Sequence, residues 1–76
     1  MLNNLNVYFS IIIPVFNEFK NINRTVLRIE EAFKTCGKKY EIIFVDDNSN
    51  DGTEEEIIKI SKIKKFVKFE QHGKKI

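Results

Sequence analysis

Apolar residues in this chain fall into short unbroken runs, separated by stretches in which they recur every three or four positions. Ile42, Ile43, Phe44 and Val45 follow one another without alternation, as do Ile11, Ile12 and Ile13. Such runs read as strands buried on both faces, the pattern of a parallel sheet. They predict strands over 8–15 and 40–45. Pro14 cannot donate to a ladder, so it is expected to close the first strand rather than sit within it. Residues 66–69 alternate with Lys68 and predict a third, half-exposed strand.

Between the strands the period changes. Ile22, Val26, Ile29 and Phe33 share one helical face and predict a helix over 21–36. Asn21 or Asn23 can cap its start, and Gly37 is placed to end it with positive φ. Lys38 and Lys39 suit the carbonyl end of its dipole. A second helix is predicted over 53–63, opened by a capping box with Thr53 at the N-cap and Glu56 as its N3 partner. Glu54, Glu55 and Glu56 in the first turn and lysines at 59, 62, 64 and 65 fit the macrodipole in sign. Ile57, Ile60 and Ile63 supply its apolar stripe. Residues 1–7 read as a loose lead-in and 71–76 as a loop.

The fold class is therefore α/β. The order β-α-β-α-β, with crossovers this short, predicts a parallel three-stranded sheet, one Rossmann-like mononucleotide-binding half. Two right-handed crossovers running the same way place both helices on one face. The other face, with residues from Ile11–Ile13 and Ile42–Val45, is left bare, as is the free edge of the first strand. Exposed apolar surface costs about 25 cal/mol per Å² relative to burial. A homodimer through that face, that edge or both is expected, with the first helix outside the interface.

Seventy-six residues make one small domain, 1–76, and 42% hydrophobic with 32% charged residues describes a globular chain. A net charge of +2 gives no reason to expect nucleic acid, and the lysines at 64–68 read as a solvated edge. The one cysteine, Cys36, permits no internal disulfide and reads as a buried or inert thiol in a reducing, cytoplasmic setting. No signal-peptide pattern and no apolar run approaching the roughly 20 residues of a membrane helix is present.

Candidate chemistry gathers where the strands run out, the position at which open α/β sheets bind ligands. Asp46 and Asp47 end the second strand and should point in opposite directions. Asp46 is the favoured ligand-facing member, since a carboxylate there can accept from the ring N–H of uracil or the N1–H and amino group of guanine. The alternative is that both cap the following turn through Asx bonds. Phe16 and Glu18 follow the first strand; an aromatic can pack on a flat base and a carboxylate can accept from ribose hydroxyls. Against this stands a buried Phe16 and a solvated Glu18. Residues 47–52 (Asp-Asn-Ser-Asn-Asp-Gly) match the opening of an EF-hand loop, but its twelfth position is Ile58 instead of Glu and a strand precedes it. A turn with a special φ at Gly52 accounts for them better. No Gly-x-Gly-x-x-Gly or Walker sequence occurs, and His72 has no companion ligands.

The string at 10–18 (Ser-Ile-Ile-Ile-Pro-Val-Phe-Asn-Glu), followed by that at 40–53 (Tyr-Glu-Ile-Ile-Phe-Val-Asp-Asp-Asn-Ser-Asn-Asp-Gly-Thr), resembles family 2 glycosyltransferases. It is most similar to the branch of dolichyl-phosphate mannosyltransferase and bacterial polyprenyl-phosphate sugar transferases. The resemblance covers nearly the whole chain from Tyr8 and implies the nucleotide-binding amino-terminal part of a GT-A fold. It implies binding of a UDP- or GDP-sugar and transfer of the sugar to an acceptor such as a polyprenyl phosphate. Pro14, Val15, Phe16 and Glu18 would contact base and ribose, Asp46 and its neighbour Asp47 would lie at the base, and Gly73-Lys74 would lie near the diphosphate. Gln71-His72 replaces the more usual Arg-Asn there.

The family's Asp-x-Asp motif, which holds Mg2+ or Mn2+, lies beyond the third strand, and no such tripeptide occurs here. No catalytic residue and no cofactor or metal ligand is therefore assigned within these residues. Two classes of function follow as expectations. One is a catalytically incomplete part of a sugar transferase, with any membrane association residing in other parts. The other is a non-catalytic binding or assembly module that keeps the fold.

Overall fold

The computed structural model describes residues 8–72. In chain order these form β1 (Phe9–Val15), a 3-10 turn (Phe19–Asn21), α1 (Ile22–Lys34), β2 (Tyr40–Asp46), α2 (Thr53–Ile63) and β3 (Val67–Gln71). The strands make one parallel sheet in the order β1-β2-β3. The predicted lead-in over 1–7 and the Gly73-Lys74 segment lie outside the described residues. None of the described helices is long and apolar enough to cross a membrane.

Register explains which side chains meet. Ile11, Ile13 and Val15 pair with Ile42, Phe44 and Asp46, and these in turn with Val67, Phe69 and Gln71. This set shares one face of the pleat. Against it pack Ile22 and Val26 from α1 and Ile57 and Ile60 from α2, so both helices cover the same face. Phe44, Ile42, Val26 and Ile57 are completely buried. Each contributes about 1.5–3 kcal/mol by leaving water, a large term for a domain of this size.

Several expectations are corrected. The unbroken apolar runs are not buried on both faces: Ile12 is 63% exposed, and Ile43 and Val45 are only half-buried. The helices among the described residues cover only one face, which an unbroken apolar run cannot show. Pro14 sits inside β1, paired with Val45, rather than closing it. The carbonyl of Val15 accepts from Asp47 at 3.0 Å and so faces β2. Its neighbour Pro14 therefore faces the free edge, where a missing N–H breaks no ladder bond.

The helix expected over 21–36 begins as the 3-10 turn and ends at Lys34, with Thr35 as its C-cap. Neither Asn21 nor Asn23 caps it by a side-chain bond; the Asn21 amide group donates to Glu18 Oε1 at 2.9 Å. Gly37 does take a positive φ, 73°. Cys36, placed just past the shortened helix, is exposed rather than buried. Ile63 is 76% exposed, because α2 has turned its last apolar position away from the sheet. Lys64 is not solvated as the run of lysines suggested: it pairs with Glu30 of α1 at 2.5 Å.

At the amino ends of the strands, Phe9, Phe33, Tyr40 and Phe66 form a row with centroids 5.5, 4.4 and 5.1 Å apart. Burial, and then the nearby Glu30 carboxylate, push the Tyr40 hydroxyl above its usual range. This row closes the end of the core opposite the candidate site.

Candidate functional site at the strand carboxyl ends

Both loops of interest leave the sheet side by side, because β1 ends at Val15 beside Asp46, the last residue of β2. β2 is held from both sides as it ends. The Asp47 amide donates to Val15 and the His72 amide donates to the Asp46 carbonyl at 2.7 Å. Gln71 Nε2 bridges the Asp46 carbonyl and Asn48 Oδ1 at 3.2 and 3.1 Å.

Alternation puts the side chain of Asp46 on the core face, where it is 1% exposed. A buried carboxylate must be hydrogen-bonded. Its partners are the Ser49 amide at 3.1 Å and the Ser49 hydroxyl. Asp46 thus caps the turn that Asn48, with φ 61°, makes possible. Asp47 points the other way into solvent, its Oδ1 3.4 Å from His72 Nδ1. Of the two aspartates, only Asp47 presents a carboxylate to the outside.

The β2–α2 loop then grips the β1–α1 loop. Three successive amides of the first loop are each accepted by a side chain of the second. Asn17 donates to the Ser49 hydroxyl at 2.7 Å, Glu18 to the Thr53 hydroxyl at 2.9 Å and Phe19 to Asp51 Oδ2 at 3.2 Å. The return contact is the Asn50 amide to Asn17 Oδ1 at 3.0 Å. Asn17 has φ 51°, a left-handed conformation that asparagine tolerates better than most residues.

The capping box expected at Thr53 is replaced by a different arrangement. The N-cap position is Gly52, with φ 96°, and no side chain caps it. Asp51 Oδ1 accepts the Thr53 amide at 3.0 Å and the Thr53 hydroxyl proton as well. Glu56 pairs with Lys59 at 3.4 Å instead of reaching back. The fully buried Thr53 is thereby free to accept from Glu18. These bonds, the Thr53 hydroxyl first, hold the exposed Asp51 carboxyl below its usual range.

The candidate residues differ in how far they are open to solvent. Phe16 (58% exposed) and Asp47 are open to solvent and follow directly on the paired Val15 and Asp46. Glu18 is half-buried, its carboxylate bonded to Asn21, and it lines a shallow concavity with Asn17, Phe19, Lys20 and Asp51. Pro14 is exposed, on the bare face of the sheet, and Val15 is in the core. Of the buried pair Val15 and Asp46, only backbone groups or induced movement could reach a ligand.

Asn17, Ser49, Asp51 and Thr53 were not identified as site residues by the sequence. Their residue types signal side chain-to-backbone bonding, but partners 32 to 35 positions apart cannot be paired from one sequence. Among the described residues, no three His, Cys, Asp or Glu side chains are grouped to hold a metal ion. The divalent cation implied by the resemblance finds no such ligand set among these residues. The family model for glycosyl transferase family 2 matches residues 10–75, a span that includes both loops, β2, β3 and β1 from its second residue.

Proposed function

Because the chain belongs to glycosyl transferase family 2, we propose that its two carboxyl-end loops hold the nucleotide of a UDP- or GDP-sugar. The observation that carries this reading is the clasp between the loops. It ties the backbone from Asn17 to Phe19, just after Phe16, to the loop that follows Asp47, at two adjacent strand ends where α/β sheets take their ligands.

Each residue has a distinct part. Asp47 accepts from the ring N–H of the base, and Phe16 packs its exposed ring on the base face. Glu18 accepts from ribose hydroxyls after exchanging its bond to Asn21. Pro14 and Val15 shape the floor with their backbone, and Asp46 acts from beneath by holding Ser49. The favoured ligand-facing aspartate is therefore Asp47. Transfer of the sugar to an acceptor is assigned to the enzyme as a whole. A polyprenyl phosphate acceptor rests on the resemblance of the paired strings alone.

Titration of the labelled chain with UDP and GDP, followed by NMR, tests this. The amides of Val15, Phe16, Asp47 and Asn48 should shift, with affinity no tighter than about millimolar, equivalent to roughly 4 kcal/mol. If neither nucleotide moves them at millimolar concentration, the loops do not form a nucleotide site.

A further inference from the structure

Beyond their last paired residues, β2 and β3 bring one more side chain to the candidate site. The two strands pair in parallel with Asp46 opposite Gln71, so the next residues, Asp47 and His72, leave the sheet side by side. Backbone bonds hold both in place. The His72 amide donates to the Asp46 carbonyl at 2.7 Å, and the Asp47 amide donates to the Val15 carbonyl at 3.0 Å. Gln71 Nε2 brackets Asp47, donating to the Asp46 carbonyl before it and to Asn48 Oδ1 after it.

The imidazole and the carboxylate are both exposed, with His72 Nδ1 3.4 Å from Asp47 Oδ1. A carboxylate only accepts, so the proton of this contact is on Nδ1. So long a contact between exposed groups contributes little to stability. It does make the two carboxylate oxygens unequal. Oδ1 has a donor beside it, whereas Oδ2 has no hydrogen-bond partner among the described residues.

Taking Asp47 as the acceptor of the base N–H, as in the reading above, we propose that His72 is a specificity-determining residue that selects uracil over guanine. Guanine offers two neighbouring donors, N1–H and its amino group, and a carboxylate takes both only with its two oxygens free. With the His72 N–H beside Oδ1, one of those donors meets another donor. Uracil offers a single donor, N3–H, between two carbonyl oxygens. Bonded to Oδ2, it brings one carbonyl toward Oδ1, where acceptor would face acceptor. The His72 N–H supplies the donor needed there. One group thus opposes guanine by leaving a donor unpaired and accommodates uracil by pairing an acceptor.

NMR titration of the full chain with UDP and with GDP gives the ratio of the two affinities. UDP should bind more tightly. His72→Ala removes the side-chain donor from an exposed position and should shift the ratio toward GDP by about three- to tenfold. His72→Gln keeps a side-chain N–H and should hold the ratio within about twofold of wild type. The shift in the ratio isolates selection, since a merely structural loss would weaken both nucleotides alike. Tighter binding of GDP than of UDP by the wild-type chain overturns the proposal. So does an unchanged ratio in His72→Ala with both nucleotides still bound, and so does a glutamine variant that behaves like the alanine variant. Binding of neither nucleotide to the wild-type chain is a distinct result, which removes the nucleotide site itself and this selection with it.

Discussion

The hydroxyl of Thr53, the first residue of α2, accepts the backbone amide of Glu18, 35 positions earlier, at 2.9 Å. Thr53 is completely buried, so this bond has no water to replace it. Thr53→Val keeps the shape but strands the Glu18 amide, and should destabilise the fold by about 1–3 kcal/mol. Thr53→Ser keeps the hydroxyl and loses one buried methyl, about 1 kcal/mol. Urea unfolding compares the two. A valine variant as stable as the serine variant would show that the bond contributes nothing.

Asp51 carries the acid sensitivity of the same clasp. Its folded pKa is held low by the Thr53 hydroxyl and by the Phe19 and Thr53 amides. A depressed folded pKa contributes stability that is present above the ordinary carboxylate value of about 3.9 and is lost as pH falls through the folded value. Asp51→Asn has no such titration. The stability difference between wild type and Asp51→Asn should therefore be constant near neutrality and shrink below about pH 4. A gap that widens on acidification contradicts the assignment.

Much of the fold was legible because its signals are local. The stripe Ile22–Val26–Ile29–Phe33 and the strand–helix alternation required no knowledge of partners, and α2 runs over the residues its pattern predicts, Thr53–Ile63. What was not legible depends on distant neighbours. Ile12 and Ile43 look like core residues, yet no element of the described chain covers them. Thr53 followed by Glu56 looks like a capping box, yet Asp51 and Glu18 claim Thr53 from two directions. For Asp46 and Asp47 the alternation was readable, but not which side would be the core. The helices decide it, and they put Asp46 inside.

That inversion predicts different consequences for the two aspartates. Asp47 is exposed, so Asp47→Asn should change stability by less than about 0.5 kcal/mol while weakening nucleotide binding several-fold. Asp46→Asn removes the charge that holds Ser49 and should cost about 1.5–3 kcal/mol. Paired urea unfolding and NMR titration separate these outcomes. Unchanged nucleotide affinity in Asp47→Asn would remove Asp47 from the site.

Among the described residues, the two glycines with positive φ make a matched pair for asking whether loop geometry matters beyond backbone strain. Gly37 has φ 73° and open space where a Cβ would stand. Gly52 has φ 96° and ψ 4°, further from the left-handed well near +57° and +47°. A Cβ there would meet Phe19 at 3.4 Å, an ordinary contact. Sterics with neighbours are thus minor at both sites and the backbone sets the cost. Gly37→Ala should destabilise by about 1 kcal/mol and Gly52→Ala by more, about 2 kcal/mol. Gly52 lies between Asp51 and Thr53, which together hold Glu18 and Phe19. Relaxing its φ would move both side chains, so Gly52→Ala should also lower nucleotide affinity, whereas Gly37→Ala should not. Equal affinities in two folded variants would mean that the clasp does not position the nucleotide loop.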